Sequence, residues 1–427
     1  MSKIALKGNI AFTPTKDRFE THENSYIVIE DGKVVDICKE LDKSYKDYTI
    51  SDFSDKLIIP GFIDLHLHAP QYPNRGLGMD KELIPWLEIY TFPEEGKYND
   101  LDYSRKVFSK LIKELWRLGT TRAVVFSSIH KESTKLLLDM FIDSGLGAYV
   151  GKVNMDKNTA QNLTENTRKS ILDTEEILKE YADKSSLVKP IITPRFIPTC
   201  SEELLESLGS LAVDYKVPVQ SHLNENTSEV IWVKELFPDS KNYASVYDDF
   251  NLFGQTNTIM AHCIYNTDEE IDLMAKNGVY AAHCPYSNYN LSSGIMPVRR
   301  FLNKGVSVGL ASDISGGNSL SMLSIIAATI QASKMAWLNT NKELVPLTFS
   351  EGFFLGTKGG GSFFGKVGSF EKGYDFDALV IDDSNLSDIN DLSIEERLQK
   401  FVYIGDDRQI MERYVQGRKI AEPFTVE

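Results

Sequence analysis

The chain contains seven histidines, and four of them come at the end of apolar runs that are typical of buried strands. These four are His66, His68, His222 and His262. Residues two apart on a strand point to the same face, so the imidazoles of His66 and His68 can converge on one ion. The alternative is an exposed strand with two polar residues, but the run Phe62-Ile63-Asp64-Leu65 before the pair indicates burial. The pattern therefore favours a metal site.

Two acidic residues occupy similar positions. Asp313 ends the apolar run 306–312, and an unpaired carboxylate buried there is costly, so it needs a cation or a hydrogen-bond network. Glu225 follows His222 by three positions in the adjoining loop. A loop acid is usually solvated, but a carboxyl beside a metal site that is not used as a ligand suits general acid/base catalysis.

Together these side chains predict a mononuclear site with nitrogen and oxygen ligands and an open position for water. Zinc (Zn2+) suits this donor set, and Fe2+ is the alternative. We expect one ion per chain. The chemistry implied is hydrolytic, because such an ion makes water a good nucleophile at neutral pH.

These residues can meet only if the strands that carry them are neighbours in one sheet. Eight candidate strands alternate with amphipathic helices through the middle of the chain. The strands are predicted at 62–68, 121–126, 147–153, 188–194, 217–222, 257–262, 278–283 and 306–313. This pattern predicts an α/β fold, a (β/α)8 TIM-type barrel with its active site at the C-terminal ends of the strands. An open doubly wound sheet is the alternative, but the first strand lacks a following Gly-x-Gly-x-x-Gly turn.

The two ends of the chain have short alternating runs instead. Asp31-Gly32 between two such runs predicts a hairpin, and similar runs return at 377–382 and 413–420. We expect the N- and C-terminal segments to pair into one small β domain. Gly359-Gly360-Gly361 is predicted to be a loop. The expected domains are 1–59 together with 366–427 for the small β domain, and 60–365 for the metal-dependent barrel.

The composition narrows the range of partners. The chain has 427 residues, and 46 Lys plus Arg against 61 Asp plus Glu give a net charge of −15. This charge repels phosphate backbones and anionic lipid, so we expect neither a nucleic-acid polymer nor a membrane as partner. The absence of an apolar leader and of long apolar runs predicts a cytoplasmic protein. The four cysteines are spaced too widely for a disulfide framework or a zinc knuckle.

Longer motifs resemble the amidohydrolase superfamily over nearly the whole chain. The sequence Pro-Gly-Phe-Ile-Asp-Leu-His-Leu-His at 60–68, followed by the later histidines and Asp313, carries this resemblance. More specific segments are similar to superfamily members that deaminate guanine. They are His68-Ala69-Pro70-Gln71-Tyr72, Tyr90-Thr91-Phe92-Pro93, Thr193-Pro194-Arg195-Phe196, Gln220-Ser221-His222-Leu223-Asn224-Glu225-Asn226 and His283-Cys284-Pro285.

The resemblance implies hydrolysis of guanine, a small purine, to xanthine and ammonia, and a role for each matched position. Glu225 would shuttle the proton, and His262 would either ligate the metal or orient the water. A homodimer is expected. The implied metal ligands are His66, His68, His222 and Asp313. The implied catalytic residues are Glu225, His262 and Asp313, and the implied substrate contacts are Gln71, Arg195, Phe196, His222, Glu225 and Asp313.

Three alternatives stay open at this point. A related amidohydrolase could deaminate another aminopurine, a pterin or a triazine-like heterocycle. A binuclear amidohydrolase would need a carboxylated lysine at the end of strand four, where the sequence has Arg195, while Lys189 lies at the wrong end. A non-catalytic scaffold would be expected to lack ligands that this chain retains.

The three remaining histidines have no role in this set. We expect His22 on the surface, His130 near the barrel mouth but behind the residues that contact substrate, and His283 in the pocket wall. Cys263 follows His262 at a position where the family pattern has glycine.

Overall fold

The architecture comes from a computed structural model, which describes residues 3–386 and 390–425. Its strands are β1 (Lys3–Thr15), β2 (Arg18–Glu30), β3 (Lys33–Cys38), β4 (Thr49–Pro60), β5 (Phe62–His68), β6 (Thr120–Phe126), β7 (Gly147–Gly151), β8 (Val153–Asn154), β9 (Val188–Pro190), β10 (Thr193–Pro194), β11 (Val219–Leu223), β12 (Thr258–His262), β13 (Tyr280–His283), β14 (Val308–Leu310), β15 (Ala378–Ile381), β16 (Ile410–Val415) and β17 (Arg418–Lys419).

The α-helices lie mainly between the strands of the barrel. They are α1 (Leu83–Trp86), α2 (Phe92–Glu95), α3 (Leu101–Arg117), α4 (Lys131–Ser144), α5 (Thr167–Tyr181), α6 (Glu202–Tyr215), α7 (Thr227–Leu236), α8 (Tyr243–Asp249), α9 (Asp268–Asn277), α10 (Pro285–Asn290), α11 (Val298–Asn303), α12 (Met322–Asn339), α13 (Phe349–Phe354) and α14 (Ile394–Ile404). Among the described residues, no helix is long and apolar enough to span a membrane.

Eight parallel strands close into a barrel. β5, β6, β7 and β9 form one four-stranded sheet, and β11 to β14 form another. A parallel bridge between Ile192 and Val219 joins the two sheets on one side. On the other side, the amide of Asp313 donates a hydrogen bond to the carbonyl of His66 at 2.8 Å. The predicted (β/α)8 barrel is confirmed, and its closing seam runs between β14 and β5.

Apolar side chains from opposite strands fill the inside of the barrel. Leu65 on β5 and Ile259 on β12 belong to one buried cluster, together with Val124 and Ala282. Strands one and six of an eight-stranded barrel are not neighbours, so a cluster that includes both must occupy the interior. The barrel is therefore a packed core with its chemistry confined to one end.

Two predicted strands are interrupted, and the strand predicted at 306–313 is shorter than expected, since β14 spans Val308–Leu310. The segments 147–153 and 188–194 are each interrupted, and their last residues pair separately as β8 and β10. Pro190 and Pro194 have no amide to donate, which interrupts the ladder in the second segment. The breaks bring Arg195 out of the sheet and into the pocket described below.

The prediction of a loop at Gly359-Gly360-Gly361 is wrong, because these residues continue the helical stretch that starts with α13. The glycines permit close packing of this helix on the barrel. A Cβ atom added to Gly360 would lie 3.1 Å from Ile63, and one added to Gly359 would lie 3.0 Å from the carbonyl oxygen of Val308. The physical reason for the glycines is therefore close approach and not a turn.

Strands from both ends of the chain form one seven-stranded sheet, in the order β17-β16-β15-β4-β1-β2-β3. The predicted hairpin at Asp31-Gly32 connects β2 and β3. Arg122 on β6 ties this sheet to the barrel, since its Nε donates to Asp377 Oδ2 at 2.6 Å and its guanidinium also contacts Asp375. The domain boundaries at 60 and 365 stay a prediction.

Candidate active site

The residues predicted to do chemistry meet in one pocket at the C-terminal end of the barrel. The pocket has about 550 Å³ of space between its walls, part of which is open to solvent. Eight of the predicted residues line it, and His66 is buried against them. The eight are His68, Gln71, Arg195, Phe196, His222, Glu225, His262 and Asp313.

The pocket floor is a cluster of buried imidazoles around Asp313. The Nε2 atoms of His68 and His222 are 3.1 Å apart. Oδ1 of Asp313 lies 3.2 Å from Nε2 of His66 and 3.5 Å from Nε2 of His68. The ligand atoms fall into groups, His66 with His222 and His262, and His66 with His68 and Asp313, that could each surround one ion. The donor set of imidazoles and one carboxylate suits zinc or Fe2+.

The hydrogen bonds behind the cluster prepare its nitrogens to bind a metal. Nδ1 of His222 lies 2.6 Å from the backbone carbonyl of Arg195, which can only accept, so Nδ1 carries the proton. The neutral ring then directs the lone pair of Nε2 toward the centre of the cluster. Nε2 of His66 is buried and has no well-aligned hydrogen-bond partner among the described residues. These atoms fit a bound metal ion better than they fit a protein-only network.

Burial sets the charge of the ligands. It lowers the pKa values of His68 and His222 well below the ordinary value, and the neighbouring His66 lowers both further. Neutral imidazoles are the form in which histidine binds a metal. Burial alone would raise the pKa of Asp313, but the contact with His66 at 3.2 Å holds it below its ordinary value. The cluster therefore offers neutral nitrogens and an ionised carboxylate.

Glu225 and His262 lie together beside this cluster. Glu225 Oε2 is 3.4 Å from His262 Nε2, and Asn288 Oδ1 accepts from His262 Nδ1 at 3.0 Å. Burial raises the pKa of Glu225 to about 7. Burial lowers the pKa of His262, but the carboxylates of Glu225 and Asp313 outweigh this effect and leave it raised. A carboxyl whose pKa lies near neutrality can both take and give a proton.

Local structure fixes the position of Glu225. It directly precedes α7, whose N-cap is Asn226, and Glu229 completes a capping box. The carboxylate of Glu229 accepts hydrogen bonds from the amides of Glu225 at 2.9 Å and Asn226 at 3.3 Å. Sequence reasoning missed Glu229, although the spacing Asn-x-x-Glu before an apolar run is a recognisable capping signal.

The predicted substrate contacts Gln71 and Arg195 lie side by side in the pocket and share a partner that the sequence did not predict. Glu95 accepts from Gln71 Nε2 at 2.8 Å and from Arg195 Nη1 at 2.5 Å. The signal for Glu95 is its position two residues after Tyr90-Thr91-Phe92-Pro93, but a local motif cannot reveal partners 24 and 100 residues away.

Apolar side chains form the outer wall of the pocket. Phe196 packs edge-on against Trp232, with ring centroids 6.2 Å apart. Leu83, Trp86 and Leu291 belong to a separate buried cluster that also lines the pocket. Sequence reasoning did not predict Trp232 or Leu291, because neither is part of a polar or periodic motif. The wall suits the faces of a flat aromatic ligand.

The backbone turns left-handed at the end of β12 and again after β14. His262, Cys263 and Asp313 have φ angles of 71°, 51° and 45°. Such angles are unfavourable for residues with a side chain, and glycine would adopt the conformation of Cys263 without strain. The departure from the family pattern at Cys263 therefore costs backbone energy, but it does not displace His262 from the pocket.

The remaining histidines lie outside the cluster. His22 is partly exposed and contacts Glu20 at 3.0 Å. His130 precedes α4 and lines a separate surface depression. His283 is fully buried next to the site, where burial lowers its pKa to about 3, and neither ring nitrogen has a hydrogen-bond partner among the described residues. The predictions that His130 stands behind the contact residues and that His283 forms part of the wall stay predictions.

Comparison with known proteins identifies the class of this architecture. Residues 57–420 match the profile of the Amidohydrolase family, and the chain belongs to that family. It is 39% identical to the guanine deaminase of Dictyostelium discoideum over 97% of each chain. It is 40% identical to the human guanine deaminase, covering 87% of this chain and 84% of the human one. The crystal structure of guanine deaminase from C. acetobutylicum, with guanine bound in its active site, is 54% identical, with a TM-score of 0.97 over 98% of this chain and 100% of that one.

Proposed function

We propose that this chain hydrolyses guanine to xanthine and ammonia. The observation that carries the proposal is the presence, in one pocket, of the imidazole and carboxylate cluster, Glu225, and the pair Gln71 and Arg195. The relatives that match over most of the chain are guanine deaminases, and one of them holds guanine in its active site. The substrate is a small purine base.

The residues that would hold the metal are His66, His68, His222 and Asp313, with Zn2+ as the ion and Fe2+ as the alternative. When bound, such an ion supplies a water acidified to a pKa of about 7. We propose one ion per chain, because Arg195 occupies the end of strand four and Lys189 donates to the carbonyl of Ala182. A bridging carboxylated lysine, which a binuclear site needs, has no counterpart there.

Glu225, His262 and Asp313 would move the protons of the reaction. As water adds to C2 of guanine, Glu225 takes one of its protons and delivers it to the neighbouring ring nitrogen. His262, held by Asn288, and Asp313 orient the water and receive its second proton. Glu225 then passes this second proton to the exocyclic amine, the bond between C2 and that amine breaks, and the amine leaves as ammonia. The product is xanthine, with a carbonyl at C2.

Gln71, Arg195 and Phe196 would hold the ring so that C2 faces the water. The guanidinium of Arg195 and the amide of Gln71 can bond to the C6 carbonyl and the ring nitrogens, and Phe196 covers a face of the ring. His222, Glu225 and Asp313 would also contact the substrate at its reacting edge. Misplacement of a substrate by about 1 Å can lower the rate on the order of 10²-fold, which gives these contacts their importance.

A panel of heterocycles tests the proposal. Ammonia release is measured with guanine, adenine, cytosine and a pterin, and xanthine is followed by its ultraviolet spectrum. We expect guanine to have the highest kcat/KM, because adenine and cytosine carry an exocyclic amine where the site is built for the C6 carbonyl. A value more than tenfold higher for another member of the panel would contradict the substrate assignment. The Glu225→Gln protein is the control for contaminating activity.

A homodimer and a cytoplasmic location also stay predictions. Light scattering coupled to size-exclusion chromatography tests the first, and a mass corresponding to one chain would contradict it.

A further inference from the structure

The carboxylate of Glu95 links the two polar side chains that line the purine site. It is 5% exposed and is not itself part of the pocket lining. We propose that Glu95 is a positioning residue that fixes the amide of Gln71 in the orientation required for guanine. This inference rests on the proposed function.

The amide of Gln71 is held at both ends. Its Nε2 donates to Glu95 Oε1 at 2.8 Å, and its Oε1 accepts from the amide of Ser315 at 3.2 Å. The Glu95 carboxylate can only accept a hydrogen bond, and the backbone amide of Ser315 can only donate one. The side-chain amide of Gln71 is therefore compatible with both partners in a single orientation. The amide then keeps one N–H and one oxygen lone pair for a ligand. This donor and acceptor are complementary to the C6 carbonyl and the N1–H of guanine.

The orientation of this amide discriminates between purines. A purine with an amine at C6 has an unprotonated N1, so its donor and acceptor stand in the reverse order. Such a ligand would form both hydrogen bonds only if the side-chain amide of Gln71 rotated by half a turn, so that its oxygen and nitrogen exchanged places. The rotation would place the amide oxygen against the carboxylate of Glu95 and the amide nitrogen against the N–H of Ser315. Both contacts are repulsive, so Glu95 selects against the reversed pattern.

Glu95 also orients Arg195 and compensates its charge. Nη1 of Arg195 donates to Glu95 Oε2 at 2.5 Å, and both side chains are about 5% exposed. An uncompensated guanidinium at this depth would be strongly unfavourable. The backbone carbonyl of Arg195 accepts from His222 Nδ1, so the position of Arg195 is also tied to the metal cluster.

The experiment compares guanine with 2,6-diaminopurine, which carries the same amine at C2 but an amine at C6. Glu95→Gln leaves only one accepting oxygen at position 95. The new side-chain amide can also rotate and exchange its oxygen and nitrogen. We expect it to lower kcat/KM for guanine about 10-fold to 100-fold, the loss expected for a hydrogen bond to a charged group. The ratio of kcat/KM values, guanine over 2,6-diaminopurine, should fall by at least about fivefold, because the amide of Gln71 is no longer locked.

The neighbouring Glu94→Gln is the matched control. Glu94 is equally buried on the same helix, but it pairs with Tyr103 and Lys97 and does not contact Gln71 or Arg195. We expect Glu94→Gln to leave the guanine to 2,6-diaminopurine ratio within about twofold of wild type. Metal content is measured for both variants to separate positioning of substrate from damage to the cluster.

Two further variants make the test decisive. In a Gln71→Ala background, Glu95→Gln should no longer change the ratio of kcat/KM for guanine over 2,6-diaminopurine, because position 71 has no side-chain amide to rotate. Glu95→Asp retains a carboxylate, which only accepts hydrogen bonds, so it should keep this ratio even if it slows turnover. It also replaces Glu95→Gln in the test if that variant does not fold. Equal losses for both purines in Glu95→Gln, or a lost ratio in folded Glu95→Asp, would overturn the role of Glu95. Failure of the wild-type protein to deaminate guanine would instead overturn the proposed function and this inference with it.

Discussion

Oε2 of Glu225 lies 3.4 Å from Nε2 of His262, and both side chains are buried beside Asp313. The carboxyl precedes α7, and the imidazole ends β12, so two separate barrel units meet at this pair. The pair places a group that can accept a proton beside a group that can hold one. This arrangement is what a hydrolytic deamination needs at the reacting carbon.

Glu225→Gln should keep the fold and the metal while losing most turnover. The amide preserves the shape of the side chain but cannot relay a proton to the ring and the leaving amine. We expect kcat to fall by about 10²–10⁴-fold, as is typical of general acid/base groups. Steady-state kinetics with guanine, on protein whose metal content has been measured, checks this. Near-normal turnover by metal-replete protein would show that another group carries the proton.

The purified protein should contain one divalent ion per chain, and either His66→Ala or Asp313→Ala should empty the site. Each replacement removes one of four proposed ligands. His130→Ala is the control, because that histidine lines a separate depression, and it should retain the full metal content. Elemental analysis gives the stoichiometry. Two equivalents of metal in active protein would favour the binuclear alternative.

Arg195→Ala should lose guanine turnover with its metal intact. The metal ligand His222 is held by the backbone carbonyl of Arg195, which the substitution leaves in place. The expected loss in kcat/KM is on the order of 10²-fold, because the ring is no longer oriented. Lys189→Ala, a lysine at the far end of the same strand region, should have nearly wild-type activity. Loss of metal from the Arg195→Ala protein would mean that the side chain supports the cluster itself.

Arg122→Met should destabilise the protein without altering the pocket. Arg122 is buried with Asp377, and its removal leaves buried carboxylates without their cation. Breaking such a pair typically costs about 3–5 kcal/mol, and Lys33 beside Asp375 lessens the loss. Denaturant unfolding measures the change. Arg117→Ala, which breaks a more exposed pair with Asp407, should cost less than about 1 kcal/mol. Equal effects of the two substitutions would contradict this account.

Much of the site could be predicted because histidine is rare in this chain, and because the site histidines and Asp313 follow apolar runs typical of strands. A His-x-His pair after a buried run, and Asp313 after another, can be read from local pattern alone. The barrel orders these strands side by side, so residues far apart in sequence become neighbours at one end. In the structure, one pocket is lined by His68, His222, His262 and Asp313. Their individual roles are proposals that the variants above test.

What could not be predicted depends on contacts between distant segments. Glu95 looks like an ordinary helix acid until Gln71 and Arg195 are seen on either side of it. The glycines at 359–361 have the composition of a loop, but close packing against Ile63 and Val308 decides their conformation. The interruptions that create β8 and β10 likewise follow from pairing between strands and not from local preference.

The seam between β14 and β5 has a consequence for how the protein is made. The amide of Asp313 bonds to the carbonyl of His66 across this seam, and the same two residues supply proposed metal ligands. During synthesis on a ribosome, the first histidine pair emerges long before Asp313 does. The last step of closing the barrel and the assembly of the ligand set are therefore one event. A nascent chain stopped before residue 313 would carry three of the four proposed ligands with no closed ring to hold them, so metal loading belongs to the end of folding.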